Sequence, residues 1–77
     1  MLPFGATRRQ EEGWVQAYDE VHQIGTVVPD GGASGVFVHG RSLEKAASLI
    51  PGQRVRFVAA DTRGRRLALK VWPATSP

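Results

Sequence analysis

The chain has 77 residues, no cysteine, and ten lysines and arginines against seven acidic residues, for a formal net charge of +3. A chain of this size makes one small domain, and its single apolar core has no disulfide or thiolate-bound metal to reinforce it. The apolar runs are far too short for a membrane-spanning helix, and no charged-then-apolar leader opens the chain, so a cytoplasmic location is expected.

Residues 1–12 carry Pro3 and Gly5 and no sustained period, which predicts a flexible arm before a domain over residues 13–73. Residues 14–18 read as a first strand with Val15 inward and Trp14 outward. Residues 24–28, Ile-Gly-Thr-Val-Val, are rich in β-branched side chains and read as a second strand. Pro29-Asp30-Gly31-Gly32 opens a turn, and Val36-Phe37-Val38-His39 follows as a third strand. Residues 42–50 place Leu43, Ala46, Ala47 and Ile50 at helical spacing behind a capping Ser42, which predicts a short helix stopped by Pro51-Gly52. Residues 53–59 alternate, with Val55, Phe57 and Ala59 on one face. A glycine turn at residues 61–65 leads to a fifth strand over residues 66–72, with Leu67, Leu69 and Val71 expected together inside, and residues 74–77 form a tail. Five short strands with closely spaced turns predict an all-β domain closed into a small barrel, with one helical insert between the third and fourth strands.

In the third strand, alternation sends Val36 and Val38 to one side and Phe37 and His39 to the other. An aromatic ring beside an imidazole on an outer face makes a platform on which bases of single-stranded nucleic acid stack. The alternative is a Phe37 that fills a surface gap and a His39 that is merely solvated. The basic residues are unevenly placed: Arg54, Arg56, Arg63, Arg65, Arg66 and Lys70 crowd the last third. Such a tilt favours a polyanionic partner. Gln16, His22, Arg41, Arg54, Arg56 and Lys70 are candidates to line a phosphate backbone, against a plain solvated face. Arg63-Gly64-Arg65-Arg66 is the densest basic cluster and is either a phosphate clamp or a solubilising tip. Trp14 is a substitute stacking residue or is covered by the arm through Phe4, and Trp72 is expected to pack structurally. No motif fixes a catalytic geometry or a metal site on His22 and His39, and no Gly-Lys-Ser/Thr follows the glycines of the Pro29 turn, so neither enzyme chemistry nor a cofactor is expected.

Taken in order, Gly13, Val15, Tyr18, Asp19, Gly25, Val27, Pro29 and Asp30 resemble the first two strands of the cold-shock domain family, G-x-V-K-W-F-N-x-x-K-G-F-G-F-I-x-P-D. Phe37-Val38-His39 is similar to that family's third-strand D-V-F-V-H. Leu43-Glu44-Lys45-Ala46 and Gly52-Gln53-Arg54-Val55-Arg56-Phe57 resemble its later segments, so the likeness runs from Gly13 to Trp72. The sequence departs from the pattern at Ala17, His22, Ile24, Thr26, Gly40 and Arg41, where the family carries tryptophan, lysine, two phenylalanines, an aromatic and serine. The resemblance implies a five-stranded OB-fold that binds single-stranded RNA or DNA, with Tyr18, Phe37 and His39 as the surviving base contacts. RNA is expected in preference to DNA, in the service of RNA chaperoning or control of expression. The missing aromatics motivate a second expectation, a protein-interaction or self-association module using Trp14, Ala17, Ile24 and Thr26.

Overall fold

The computed structural model describes residues 10–32 and 35–74. Five strands follow one another along the chain: β1 (Gln10–Asp19), β2 (Ile24–Pro29), β3 (Val36–His39), β4 (Arg54–Thr62) and β5 (Arg65–Pro73). They hydrogen-bond in the order β1-β2-β3-β5-β4, and β4 pairs back onto β1, so the sheet closes into a barrel. Every pairing is antiparallel except that of β3 with β5, which is parallel and joins Phe37 to Leu67.

The core is built on β-branched residues. Val15, Val27, Val36, Val38, Val55, Val71 and Phe57 are fully buried or nearly so, and Leu49, Ala59 and Ala68 complete the cluster. Valine favours the extended backbone, and the side chain at every second position faces inward, so strand propensity and burial agree in β1 as far as Val15 and in β3 and β4.

Two β-bulges set the outer faces. In β1 the pairing with β2 steps from Val15–Val27 to Ala17–Thr26, which leaves Gln16 as an extra residue. Gln16 and Ala17 are therefore both exposed, and Tyr18 turns back toward the core. In β5 the pairing with β4 steps from Val58–Lys70 to Ala59–Ala68, with Leu69 as the extra residue. Plain alternation puts Leu67, Leu69 and Val71 inside together. The bulge reverses the phase, so Ala68 and Val71 are buried while Leu67 and Leu69 lie at the surface.

The helix expected over residues 42–50 does not form. A single 3-10 turn, Gly40–Ser42, follows β3. The backbone beyond it is engaged by β5 instead: Leu43 bridges Val71 in parallel, and the Glu44 N–H donates to the Val71 carbonyl at 2.8 Å. Lys45 then adopts φ 60°, a left-handed conformation that a right-handed helix does not allow. The apolar residues of this segment serve the barrel rather than a helix face. Leu43 packs against the core and Leu49 is buried in it, whereas Ile50 is exposed.

The first strand also begins earlier than the alternation from Gly13 indicates. Residues 10–12, assigned to the arm on sequence, pair with β4, with Gln10 opposite Val58 and Glu11 opposite Phe57. Glu11 and Arg66 share the inward phase of their strands and form a half-buried, forked ion pair, Nη2–Oε2 2.6 Å and Nη1–Oε1 3.5 Å. The rest of the expected arm, residues 1–9, and residues 75–77 of the tail lie outside the described residues. No helix among the described residues is long and apolar enough to cross a membrane.

Candidate nucleic-acid interface

Phe37 stands on the outer face of β3, 47% exposed, between Thr26 of β2 and Leu67 of β5. The Arg65 guanidinium lies over the ring, 5.6 Å from its centroid. At this distance the positive charge is attracted to the negative face of the ring. Arg65 reaches Phe37 because the β4–β5 turn, Arg63-Gly64, delivers the start of β5 beside β3. Both turn residues have positive φ, 51° and 79°.

His39 ends β3 on the same side as Phe37 and pairs with Ile24. It caps the 3-10 turn, with the Arg41 backbone N–H donating to its Nδ1 at 3.1 Å. Because Nδ1 accepts, the neutral ring carries its hydrogen on Nε2, which makes Nε2 a donor.

A shallow apolar hollow of about 320 Å³ lies beside Phe37, lined by Ala17, Tyr18, Asp19, Ile24, Gly25 and Thr26. Ile24 is 51% exposed, so the hollow has an aliphatic wall where the family pattern has aromatic rings. At its edge the Thr26 hydroxyl donates to Gln16 Oε1 at 3.1 Å. Trp14, grouped with Ala17, Ile24 and Thr26 on sequence, does not line this hollow. It sits between Val28 and Arg54 instead, 40% exposed, and its cover by Phe4 lies outside the described residues.

Tyr18 does not share the free outer surface of Phe37. The β1 bulge turns its ring onto the core, and only part of it reaches the hollow. Two glycines make room for it. A Cβ on Gly25 would lie 2.7 Å from the ring Cδ1, and one on Gly40 would lie 3.0 Å from the hydroxyl oxygen. That oxygen is buried and has no hydrogen-bond partner among the described residues. Gly40, where the family pattern has an aromatic, thus faces Tyr18 directly.

The expected phosphate contacts separate into groups. Gln16 is hydrogen-bonded to Thr26, the neighbour of Phe37, and Arg41 is exposed on the 3-10 turn that follows His39, with no ion pair among the described residues. His22 sits in the β1–β2 turn with its Nδ1 2.7 Å from Asp19 Oδ2. The hydrogen bond from His22 holds the Asp19 carboxyl below its usual pKa. Arg54 and Arg56 lie on β4, which is separated from β3 by β5 on one side and by β1 and β2 on the other. Arg54 grips Asp30 through two bonds of 2.7 and 2.6 Å, which lower the Asp30 pKa and raise that of Arg54. Among the described residues Arg56 has only a 3.6 Å contact with Glu12. Lys70 is exposed on β5, beside the bulged Leu69. Arg65 and Leu67 adjoin Phe37, although neither is a base contact expected from the sequence. Their adjacency comes from the parallel β3–β5 pairing, for which neither strand carries a local signal.

A closed five-stranded barrel with strand order β1-β2-β3-β5-β4 is an OB-type fold, here with an aromatic ring and an imidazole on its outer β2–β3 face. Residues 11–74 match the model of the 'Cold-shock' DNA-binding domain, and the chain belongs to that family. No curated protein matches it by sequence. Among solved structures it is similar to Drosophila Unr CSD456, with TM-score 0.72 and 14% identity over 88% of this chain, which spans 28% of the length of that one. It is also similar to a Cu(II) structure of a CusF variant from Escherichia coli, with TM-score 0.61 and 13% identity, covering 86% of this chain and 90% of the other. At such identities these two likenesses concern the fold alone. Among the described residues no group of three or more histidines and carboxylates is placed to hold a metal ion.

Proposed function

We propose that this domain binds single-stranded nucleic acid, RNA in preference to DNA, across the outer face of β2 and β3. One base stacks on the Phe37 ring, displacing the Arg65 guanidinium from over it toward the phosphate of the same nucleotide, and the hollow formed by Ile24, Thr26 and Ala17 receives its neighbour. Nε2 of His39 donates to a base edge or a phosphate oxygen, and Arg41 and Lys70 supply phosphate contacts. Tyr18 supports the hollow from below; His22 and Arg54, each held by a carboxylate, contribute less on this face, and Arg56, on β4, does not reach it. A role in keeping RNA unpaired or in controlling expression, in the cytoplasm, and without catalysis, accords with the family. The observation that carries this reading is a half-exposed phenylalanine on a sheet face with a cation over its ring.

The test is a titration of a fluorescently labelled pyrimidine oligonucleotide at two salt concentrations, followed by fluorescence polarisation. Phe37→Ala is expected to weaken binding by about 1–3 kcal/mol, the usual worth of one base–aromatic stack. Salt-insensitive binding, or an unchanged affinity in Phe37→Ala, would count against the reading. A second reading rests on the aliphatic wall of the hollow: Ala17, Ile24 and Thr26 receive a protein segment or a second copy of this chain. Concentration-dependent sedimentation unaffected by nucleic acid would favour that reading.

A further inference from the structure

We propose that the barrel carries a second nucleotide subsite, away from Phe37, in the groove lined by Gln10, Lys45, Arg56, Trp72 and Pro73. This rests on the single-strand binding proposed above and extends its path along β5. The groove has a volume of about 400 Å³. Trp72 is half-buried in its wall and pairs across the sheet with Arg56. Lys45 is held there by the backbone: the Leu43–Val71 bridge and the Glu44 N–H bond to Val71 fix the loop against the residue next to Trp72. The left-handed backbone at Lys45 belongs to the same fixed loop.

The chemistry of the groove matches one unit of a nucleic-acid strand. An indole offers a face for a base, and two cations flank it for phosphate. Lys45 makes no ion pair among the described residues. Among the described residues the sole carboxylate near Arg56 is that of Glu12, at 3.6 Å, and it is shared with Arg54 at 3.5 Å. Gln10 adds a neutral amide at the rim. Trp72 lies five residues beyond Leu67 on β5, and Leu67 is the partner of Phe37. At about 3.3 Å per residue the separation along the strand is about 16 Å. A stacked strand rising about 3.4 Å per nucleotide covers that distance in about five nucleotides. Lys70 lies exposed on the way. A short oligonucleotide therefore fills only the Phe37 face, and a longer one reaches Trp72.

The test compares oligonucleotides of about four and about twelve nucleotides, within the range of OB-fold site sizes, as pyrimidine RNA and as the matching DNA; three steps of about 3.4 Å keep the shorter strand well short of Trp72. In the wild-type protein the Trp72 indole N–H resonance is expected to shift with the longer strand and stay in place with the shorter. The Lys45→Gln, Arg56→Gln double variant is expected to keep the wild-type affinity for the shorter strand, which also shows that it is folded. For the longer strand its log-affinity against log-salt slope is expected to become shallower by about 1.4, at about 0.7 for each phosphate no longer neutralised. A stationary Trp72 resonance while the longer strand binds would overturn the proposal, and so would equal weakening for both lengths. Failure of the wild type to bind either strand would overturn this subsite and the Phe37 face together.

Discussion

Single side chains decide what the outer face offers. Phe37 and His39 were legible from the sequence because β3 is short, unbulged and strictly alternating. For Tyr18 the sequence leaves open a base contact or a half-buried strand-end ring, and alternation does not decide between them, because Gln16 supplies an extra residue that no local pattern marks, and the phase of β1 turns over between Val15 and Tyr18. Its buried, unpartnered hydroxyl is the least comfortable polar group among the described residues. An unsatisfied buried hydroxyl costs on the order of 1–3 kcal/mol. Tyr18→Phe is therefore expected to raise the unfolding free energy by about 1 kcal/mol in urea titrations. Gly40→Ala is expected to lower it, since the added methyl would lie 2.9 Å from the Gln23 Cβ as well as close to the Tyr18 oxygen. A less stable Tyr18→Phe protein would mean that the hydroxyl finds a hydrogen-bond partner in solution.

Among the elements, β2, β3 and β4 follow from their alternation, whereas β5 and the loop after β3 do not. A helical spacing of apolar residues and a capping serine were present at residues 42–50, yet the backbone there serves the bare flank of β5. Tertiary pairing overrides a weak local propensity. The β5 bulge has a consequence measurable by substitution. Leu69→Ala is expected to change stability by less than about 1 kcal/mol, because this leucine is 37% exposed. Ala68→Leu, at a position 2% exposed, is expected to cost about 1–3 kcal/mol through overpacking. Urea midpoints of the two variants check this, and the reverse order would show that unbroken alternation describes β5. The pairs that tie elements together also predict a pH response. Asp30, bound by Arg54, and Asp19, bound by His22, both have pKa values below the ordinary 3.8 in the folded chain. The unfolded chain then takes up protons more readily, so the stabilisation is complete above that value and is lost as pH falls through the folded pKa values. The urea midpoint is expected to hold from about pH 7 to about pH 5 and to decline below about pH 4. Asp30→Asn is expected to flatten the decline, and an unaltered decline would remove Asp30 from the account.

For the molecule as a whole, the all-β class and the closed barrel were readable from five short β-branched runs separated by turns. The neighbour relations were not, because pairing a third strand with a fifth depends on how the sheet curls and not on either segment alone. That pairing brings Arg65 to Phe37, and it is the narrowest join in the barrel. Four junctions are antiparallel ladders four or more residue pairs long; the β3–β5 pairing itself rests on Phe37 opposite Leu67, supplemented beyond β3 by the isolated Leu43–Val71 bridge. A wall zipped so briefly at one place opens there first when the fold breathes. The ring that would receive a base lies on that join, so an occupant touching both Phe37 and Arg65 would rivet it. Amide hydrogens of β3 and of the first half of β5 are expected to exchange fastest among the strand interiors of the free protein and to slow most when an oligonucleotide is bound. Uniform slowing around the whole barrel would show instead that the join is as firm as the other four.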